Sequence, residues 1–377
     1  MEDTAVMTRT TLARGLDRRR AATLALAAPA AALASPAIAQ SQPPLRWRMV
    51  TSYPKSLDTL DGACRLLAKL VSELTDGRFE IQVFAGGEVV PALAVLDAVQ
   101  NGTVEMGHTA SYYYVGKDPA FSFDTSVPFG LNTRQHNAWM LQGGGAALMD
   151  ELFSAYNIKA IPAGNTGAQM AGWFRKEINS ADDLKGLKFR TGGLVGRVMS
   201  KLGVVVQQIA AGDLYPALER GTIDAAEWVG PHDDERLGLQ KVARFYYAPG
   251  WAEGSAQVSL YIGKERFEGL PPAYKAAVTQ ACAAVNSWML AKYDNDNPAA
   301  LRRLVAGGAQ LRLFSRDVLS AAYDAAEQVY AEINATNPRF KKIYDAWNAY
   351  RREESLWFRV NELQFDTYMA YRLGRAG

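Results

Sequence analysis

Two strand ends in this chain deliver opposite charges to what should be one place. The strand Leu187–Phe189 ends on Arg190. Further along, the stretch Leu218–Pro231, LERGTIDAAEWVGP, reads as the end of a helix, a stop at Gly221, a short apolar strand over 223–226, and then Glu227 and Trp228. A glycine just past the last periodic residue terminates a helix, and in open α/β sheets ligands bind beyond the carboxyl ends of the strands. Arg190 and Glu227 therefore face one crevice, either as a binding site or as a plain salt bridge between strand ends.

Other chemistry is weaker. Gly192, Gly193 and Gly196 follow a strand and open a helix, but the spacing is neither G-x-G-x-x-G nor a P-loop, so they read as a tight turn. His232 with Asp233, Asp234 and Glu235 resembles a ligand cluster, yet such a run is more often a solvated loop. No Cys or His pair has zinc spacing, and there is no G-x-S-x-G or H-E-x-x-H. An enzymatic reading has no positive motif behind it.

The elements that must position Arg190 and Glu227 alternate strand and helix. Strands over 45–50, 79–84 and 104–108 with helices between them give βαβαβ, the pattern of a wound α/β sheet; the third delivers Tyr112 and Tyr113 at its end. After the strand 158–163, the glycine-rich GNTGAQMAGW of 164–173 reads as a crossing into a second unit, and a strand over 255–262 crosses back. Two crossings between the same lobes make a hinge that closes around a ligand. The expected architecture is α/β and two-lobed, with 44–164 and 251–300 as lobe I, and 165–250 and 301–338 as lobe II.

From Pro271 onward the pattern is helical, with breaks expected at Asn297-Pro298 and Asn337-Pro338. The stretch 339–372 has no Pro or Gly and carries Phe340, Ile343, Trp347, Tyr350 and Trp357 at helical steps, which predicts one long C-terminal helix. It either lies along its own lobes or packs on a second subunit, with a dimer contact favoured.

The start of the chain stands apart. Four arginines over 14–20, an alanine-rich apolar run and Ala37-Ile38-Ala39 are the layout of a signal peptide over 1–39. The run is short of the roughly 20 residues that span a bilayer, and the consecutive arginines are compatible with twin-arginine export. Residues 1–39 hold five Arg against Glu2, Asp3 and Asp17, so their removal takes 41 basic and 39 acidic residues to 36 of each. A neutral chain lacks the basic excess that a nucleic-acid partner requires. With 49% hydrophobic residues it buries a core large enough for two domains. Cys64 and Cys282 sit in helical, alanine-rich patterns and read as buried apolar positions rather than as a bridge.

DLKGLKFR ending on Arg190, LERGTIDAAEWVGP, and the crossing near Glu253 resemble the solute-binding subunits of TRAP transporters, the tripartite ATP-independent periplasmic family, over nearly the whole mature chain. Gln169, Glu227-Trp228, Glu253 and the long terminal helix are similar to the subgroup that binds 2-oxo acids such as pyruvate. The resemblance implies a periplasmic binding protein with a cleft between its lobes, no enzymatic activity, and delivery of the ligand to a membrane permease. It also implies roles. Arg190 would clamp the carboxylate with its planar fork. Gln169, Glu227, the Trp228 carbonyl and Glu253 would hold a metal ion, and an all-oxygen set suits sodium, placed ahead of calcium, over zinc, iron or copper. Tyr112 and Tyr113 are either hydroxyl donors from the other side or strand-end packing; Trp228 and Trp251 either wall the pocket or belong to the core. Lactate or another hydroxy or dicarboxylic acid, a ligand sensor, and an exported oxo-acid enzyme are the alternatives.

Overall fold

The structure, a computed structural model, describes residues 43–374, so the signal peptide expected over 1–39 lies outside them. In chain order its strands are β1 (Leu45–Thr51), β2 (Phe79–Phe84), β3 (Met106–Thr109), β4 (Ile158–Asn165), β5 (Gly172–Phe174), β6 (Lys188–Arg190), β7 (Val205–Gln207), β8 (Ala225–Ala226), β9 (Phe245–Ala248), β10 (Gln257–Gly263) and β11 (Gln310–Leu313). Among the described residues these form two sheets, one ordered β2-β1-β3-β10-β4 and one ordered β11-β9-β5-β8-β6-β7. Each sheet is the spine of one lobe.

In the first sheet β1 lies parallel to both β2 and β3. The incoming β10 runs antiparallel between β3 and β4. Every residue of β10 is buried, as a strand covered on both faces requires. In the second sheet β6 is parallel to β7 and β8, while β5 is antiparallel to β8 and β9. The antiparallel strands are those that arrive by a crossing: the chain passes from β4 to β5 through 166–171 and from β9 back to β10 through 249–256.

Helix α1 (Leu60–Leu74) shows how the pattern selects a face. Leu60, Ala63, Cys64, Leu67 and Val71 recur at three- and four-residue steps and are all buried, an apolar stripe turned to the core. Cys64 and Cys282 are both free and buried, and burial pushes the Cys64 thiol up to about 12. They behave as small apolar residues.

In the second lobe α2 (Val195–Lys201) follows β6, α3 (Leu214–Glu219) precedes β8, and α4 (Pro231–Leu237) follows the loop that holds Glu227. His232, Asp233 and Asp234 are buried on α4, which corrects the solvated loop expected there. Trp173 Nε1 and Tyr246 Oη both donate to Asp234, at 3.0 and 2.7 Å, and Tyr293 Oη donates to Asp233 at 2.7 Å. Those donors come from distant parts of the chain, so no local signal announces them.

Helix α5 (Pro272–Ala306) runs straight through the break expected at Asn297-Pro298. A mid-helix proline forfeits a hydrogen bond and costs about 3 kcal/mol. The helix is held from several sides, burying Ala277, Val278, Val285, Met289 and Tyr293 before the proline and Ala300 and Leu304 after it. Asn297 Oδ1 also accepts the His232 N–H at 3.0 Å, tying α5 to the first turn of α4.

Helix α6 (Arg316–Thr336) is followed, after Asn337, by α7 (Pro338–Val360) and α8 (Glu362–Leu373). The single helix expected over 339–372 is thus interrupted at Asn361. The hydrogen-bond ladder continues across it, from Asn361 N to Trp357 O and from Phe365 N to Asn361 O, both at 3.1 Å. The first part of α7 lies on its own lobe: Phe340, Ile343 and Trp347 are buried, Phe340 and Trp347 meet Phe123, and Arg339 pairs with Asp118 at 2.7 Å. Beyond it Leu356, Trp357, Val360, Phe365, Tyr368 and Tyr371 are all more than half exposed.

Candidate functional site

β6 and β8 are parallel neighbours with Arg190 opposite Ala226, so the next residue, Glu227, emerges beside the guanidinium. Arg190 is completely buried. Its Nε donates to Ile209 O at 3.0 Å and its Nη1 to Glu227 O at 2.5 Å. The Glu227 carboxylate stands 3.7 Å from Nη1, and the Trp228 ring lies 4.9 Å from the guanidinium carbon, a cation–π seat. The fork is thus fixed by two carbonyls, and Nη2 is left buried without a partner.

The two crossings bring the other residues to the same place. Gln169 lies on the first and Glu253 on the second. The crossings touch at Gly250, where a side chain would collide with the Gln169 main chain. Thr166 Oγ1 donates to Gly167 O and accepts the Ala256 N–H and Gln169 Nε2, at 3.1, 3.0 and 3.0 Å. The hydroxyl's one proton is committed, so Gln169 must offer its nitrogen there, and Oε1 points away as a free acceptor. Gln169 Oε1, Glu227 Oε1 and both Glu253 oxygens are buried without hydrogen-bond partners.

Buried polar groups in folded proteins are nearly always satisfied, and four free oxygens beside one free Nη2 mark a place built for a guest. Among the described residues no three His, Cys, Asp or Glu side chains gather as a metal cage. A cation here would rest on two carboxylates, an amide oxygen and main-chain carbonyls. That donor set fits sodium or calcium, and it leaves the Nη2 donor for an anion.

Electrostatics agree. Burial pushes Glu227 up to about 8, Asp234 adding to the shift and Arg190 opposing it. Burial and the neighbouring Glu227 also push Glu253 well above the carboxylate range, against Arg190, Gln169 and Tyr112. Burial would lower Arg190, but Tyr113, Glu227, Tyr112 and Glu253 together hold it raised. Two carboxylates facing one guanidinium are short of positive charge, which a bound cation would supply.

Tyr112 and Tyr113 follow β3 in a tight turn over Ser111–Tyr114 and are buried, their rings edge to face at 4.9 Å. Both are electrostatic neighbours of Glu227, Glu253 and Arg190. The Tyr112 ring crosses to the second lobe and rests on Gly192, where a Cβ would collide with it, and Gln208 Nε2 donates to Tyr113 O at 3.1 Å. The lobes are therefore in contact around the site. Gly192 and Gly193 of the tight turn are the seat of Tyr112.

Of the two tryptophans, Trp228 lines a small cavity together with Gln169, Tyr112 and Tyr113. Trp251 stacks on Phe129 at 5.2 Å and accepts its N–H, a core role. Residues that the sequence reading missed are Thr166, which orients Gln169, and Tyr53, which lines the cavity from the first lobe. Tyr53 lies just after β1, at a strand's carboxyl end, so the rule that found Tyr112 would have reached it.

The sequence pattern of the bacterial extracellular solute-binding protein family 7 matches residues 50–337. A monocarboxylate 2-oxoacid-binding periplasmic protein from a Nostoc species is 51% identical over 326 residues, 86% of this chain and 89% of that protein. A TRAP transporter solute-binding protein from Bordetella bronchiseptica superposes with a TM-score of 0.88 at 53% identity, covering 89% of this chain and all of the other. It is a mixed-occupancy dimer with copurified calcium and picolinate in one site. One from Pseudoalteromonas atlantica, with bound sodium and pyruvate, gives a TM-score of 0.83 at 36% identity over 85% of this chain and 98% of that one. These relatives are solute-binding proteins of transporters, which removes the exported-enzyme alternative.

Proposed function

Because this chain belongs to the bacterial extracellular solute-binding protein family 7, we propose that it captures a small 2-oxo monocarboxylate of the pyruvate type in the periplasm and delivers it to the membrane permease of a TRAP transporter. The observation that carries this reading is the set of buried groups left unpartnered around one point: Arg190 Nη2, Gln169 Oε1, Glu227 Oε1 and both Glu253 oxygens. A 2-oxo acid has a carboxylate and an adjacent carbonyl, and this set has one guanidinium nitrogen for the first and one group of oxygens whose cation serves both.

Arg190 holds the carboxylate through Nη2, its other nitrogens being committed to Ile209 O and Glu227 O. Glu227, Glu253, Gln169 and the Trp228 carbonyl hold the ion, sodium or calcium. When bound, the ion neutralises the repulsion between Glu227 and the ligand's negative charge. Tyr112 and Tyr113 close the site from the first lobe, and Tyr112 on Gly192 keeps bulk water out. The relative that binds monocarboxylate 2-oxo acids and the one that holds sodium and pyruvate support the assignment.

The apolar residues exposed from Leu356 to Tyr371 support a homodimer joined through α7 and α8; contiguous apolar patches of this kind mark interaction sites. The layout of residues 1–39 supports export by a signal peptide.

The test is calorimetric titration of the mature protein, stripped with chelator, with pyruvate, 2-oxobutyrate, lactate and succinate, each with sodium, with calcium and with neither. The expected result is micromolar or tighter binding of the 2-oxo acids, about 8 kcal/mol or more, strengthened by one cation and without turnover. Binding of succinate alone, or of no acid at all, would overturn the reading.

A further inference from the structure

The two crossings that join the lobes share one side-chain atom. Thr166 opens the first crossing and is buried. Its N–H donates to Ala256 O at 3.0 Å, and the Ala256 N–H donates back to Thr166 Oγ1, also at 3.0 Å. The hydroxyl thus stands in for a main-chain carbonyl and extends the pairing of β4 with β10 one step beyond Asn165 and Gln257. The same oxygen accepts Gln169 Nε2 at 3.0 Å, and its single proton goes to Gly167 O at 3.1 Å. The turn is shaped for these contacts: Gly167 has φ +72°, a conformation that favours glycine, and its N–H donates to Asn165 Oδ1 at 3.0 Å.

The main chain sets Gln169 beside the proposed ion site. The N–H of the next residue, Met170, donates to Val229 O at 3.0 Å, which places Gln169 alongside Trp228. Gln169 also packs closely on Gly250, whose carbonyl accepts the Glu253 N–H at 3.2 Å. An amide can be turned over with little change of shape, which exchanges its oxygen for its nitrogen. Turned over here, Gln169 would offer oxygen to Thr166, whose proton could meet it only by giving up Gly167 O, and would aim its NH₂ at the cation. The hydroxyl therefore selects the orientation in which Oε1 stays buried and without a partner.

We propose that Thr166 is a positioning residue for the ion: its hydroxyl fixes the Gln169 amide with oxygen toward Glu227 and Glu253, and so sets the receptor's affinity for its cation. This rests on the ion-bridged reading above and deepens it. Groups that orient a metal's ligands typically account for about 10- to 100-fold in metal affinity. Because that oxygen also holds the Ala256 N–H, the ion's amide ligand and both crossings are fixed together.

The probe is calcium, with sodium in parallel, on the chelator-stripped mature protein: wild type, Thr166→Val, Thr166→Ser, Gln169→Ala and the Thr166→Val, Gln169→Ala double variant. Two quantities are read, the rise in melting temperature with cation alone and the cation concentration that gives half-maximal pyruvate binding by tryptophan fluorescence. Thr166→Val should shrink the first and raise the second at least about tenfold, more than it raises the pyruvate Kd at saturating cation. Thr166→Ser, which keeps the hydroxyl, should lie within about threefold of wild type. With Gln169→Ala in place, Thr166→Val should change the cation requirement by less than about twofold, because residues that act through one another are non-additive. A folded valine variant with the wild-type cation requirement, a serine variant that fails to restore it, or an undiminished shift in the Gln169→Ala background overturns the role of Thr166 and leaves the 2-oxo acid reading standing. Should wild type bind no 2-oxo acid, that reading falls, and the melting shift with cation alone still decides the role of Thr166. Pyruvate binding that ignores every cation, with no melting shift, overturns the ion site and this inference with it. Thr166→Ala gives a second hydroxyl-free replacement should valine, which leaves the Ala256 N–H unpaired, prevent folding.

Discussion

Arg190 gives the sharpest test because each of its nitrogens has a separate task. Nε and Nη1 are held by Ile209 O and Glu227 O, and Nη2 is free for the ligand. Arg190→Lys keeps the charge but cannot hold both Ile209 O and Glu227 O while still reaching the ligand, so at least one charged hydrogen bond is lost at about 1.5–3 kcal/mol. That corresponds to roughly 10- to 150-fold in Kd. Arg190→Ala also strips the cation from Glu227 and Glu253, both buried. Removing one member of a buried, hydrogen-bonded charge pair costs about 2–5 kcal/mol or more, so its Kd should rise at least about 30-fold and further than that of the lysine variant. Calorimetry with pyruvate at constant cation and pH measures both, and thermal melting verifies the fold. A lysine variant that binds as wild type would discard the fork argument. An alanine variant within about threefold of wild type would refute the site itself.

Other perturbations separate the remaining parts. Glu227→Gln keeps the shape and removes the charge, so the dependence of pyruvate binding on sodium or calcium should weaken by about tenfold or more; an unchanged cation titration would remove Glu227 from the ion's ligands. Gly192→Ala drives a methyl into the Tyr112 ring; overpacking costs about 1–3 kcal/mol, and because the ring and the glycine belong to different lobes the loss should appear in ligand affinity, with the melting temperature little changed. Asp124 is buried among Ser111, Gln257 and Ser259, and burial raises it to about 6. The folded state therefore holds that proton more tightly than the unfolded chain, and the stability this contributes is full below about pH 4 and lost as pH rises through about 6. The stability of wild type relative to Asp124→Asn should fall by up to about 3 kcal/mol over that window, and denaturant melts that show a constant difference would contradict it. Trp357→Glu combined with Phe365→Glu places charges on the exposed apolar face of α7 and α8 and should convert a dimer to monomer in sedimentation equilibrium, leaving pyruvate binding intact.

The sequence by itself determined the alternation of strand and helix and the strand ends that present Arg190 and Glu227. These follow from short-range rules: periodicity, a glycine stop, the polarity of a parallel sheet. The resemblance to TRAP solute-binding subunits lay in contiguous motifs such as DLKGLKFR and was legible for the same reason. What only the tertiary structure decided involves partners far apart in the chain. Asp233 and Asp234 look like a solvated run until Tyr293, Trp173 and Tyr246 arrive from elsewhere to satisfy them. Pro298 reads as a break until packing on both sides of it outweighs the lost hydrogen bond. Trp228 and Trp251 are equivalent as letters, and only the fold sets one beneath Arg190 and the other against Phe129. Whether the amide oxygen of Gln169 or the hydroxyl of Tyr53 remains free depends on every hydrogen bond around it, and that count exists only once the two lobes have met.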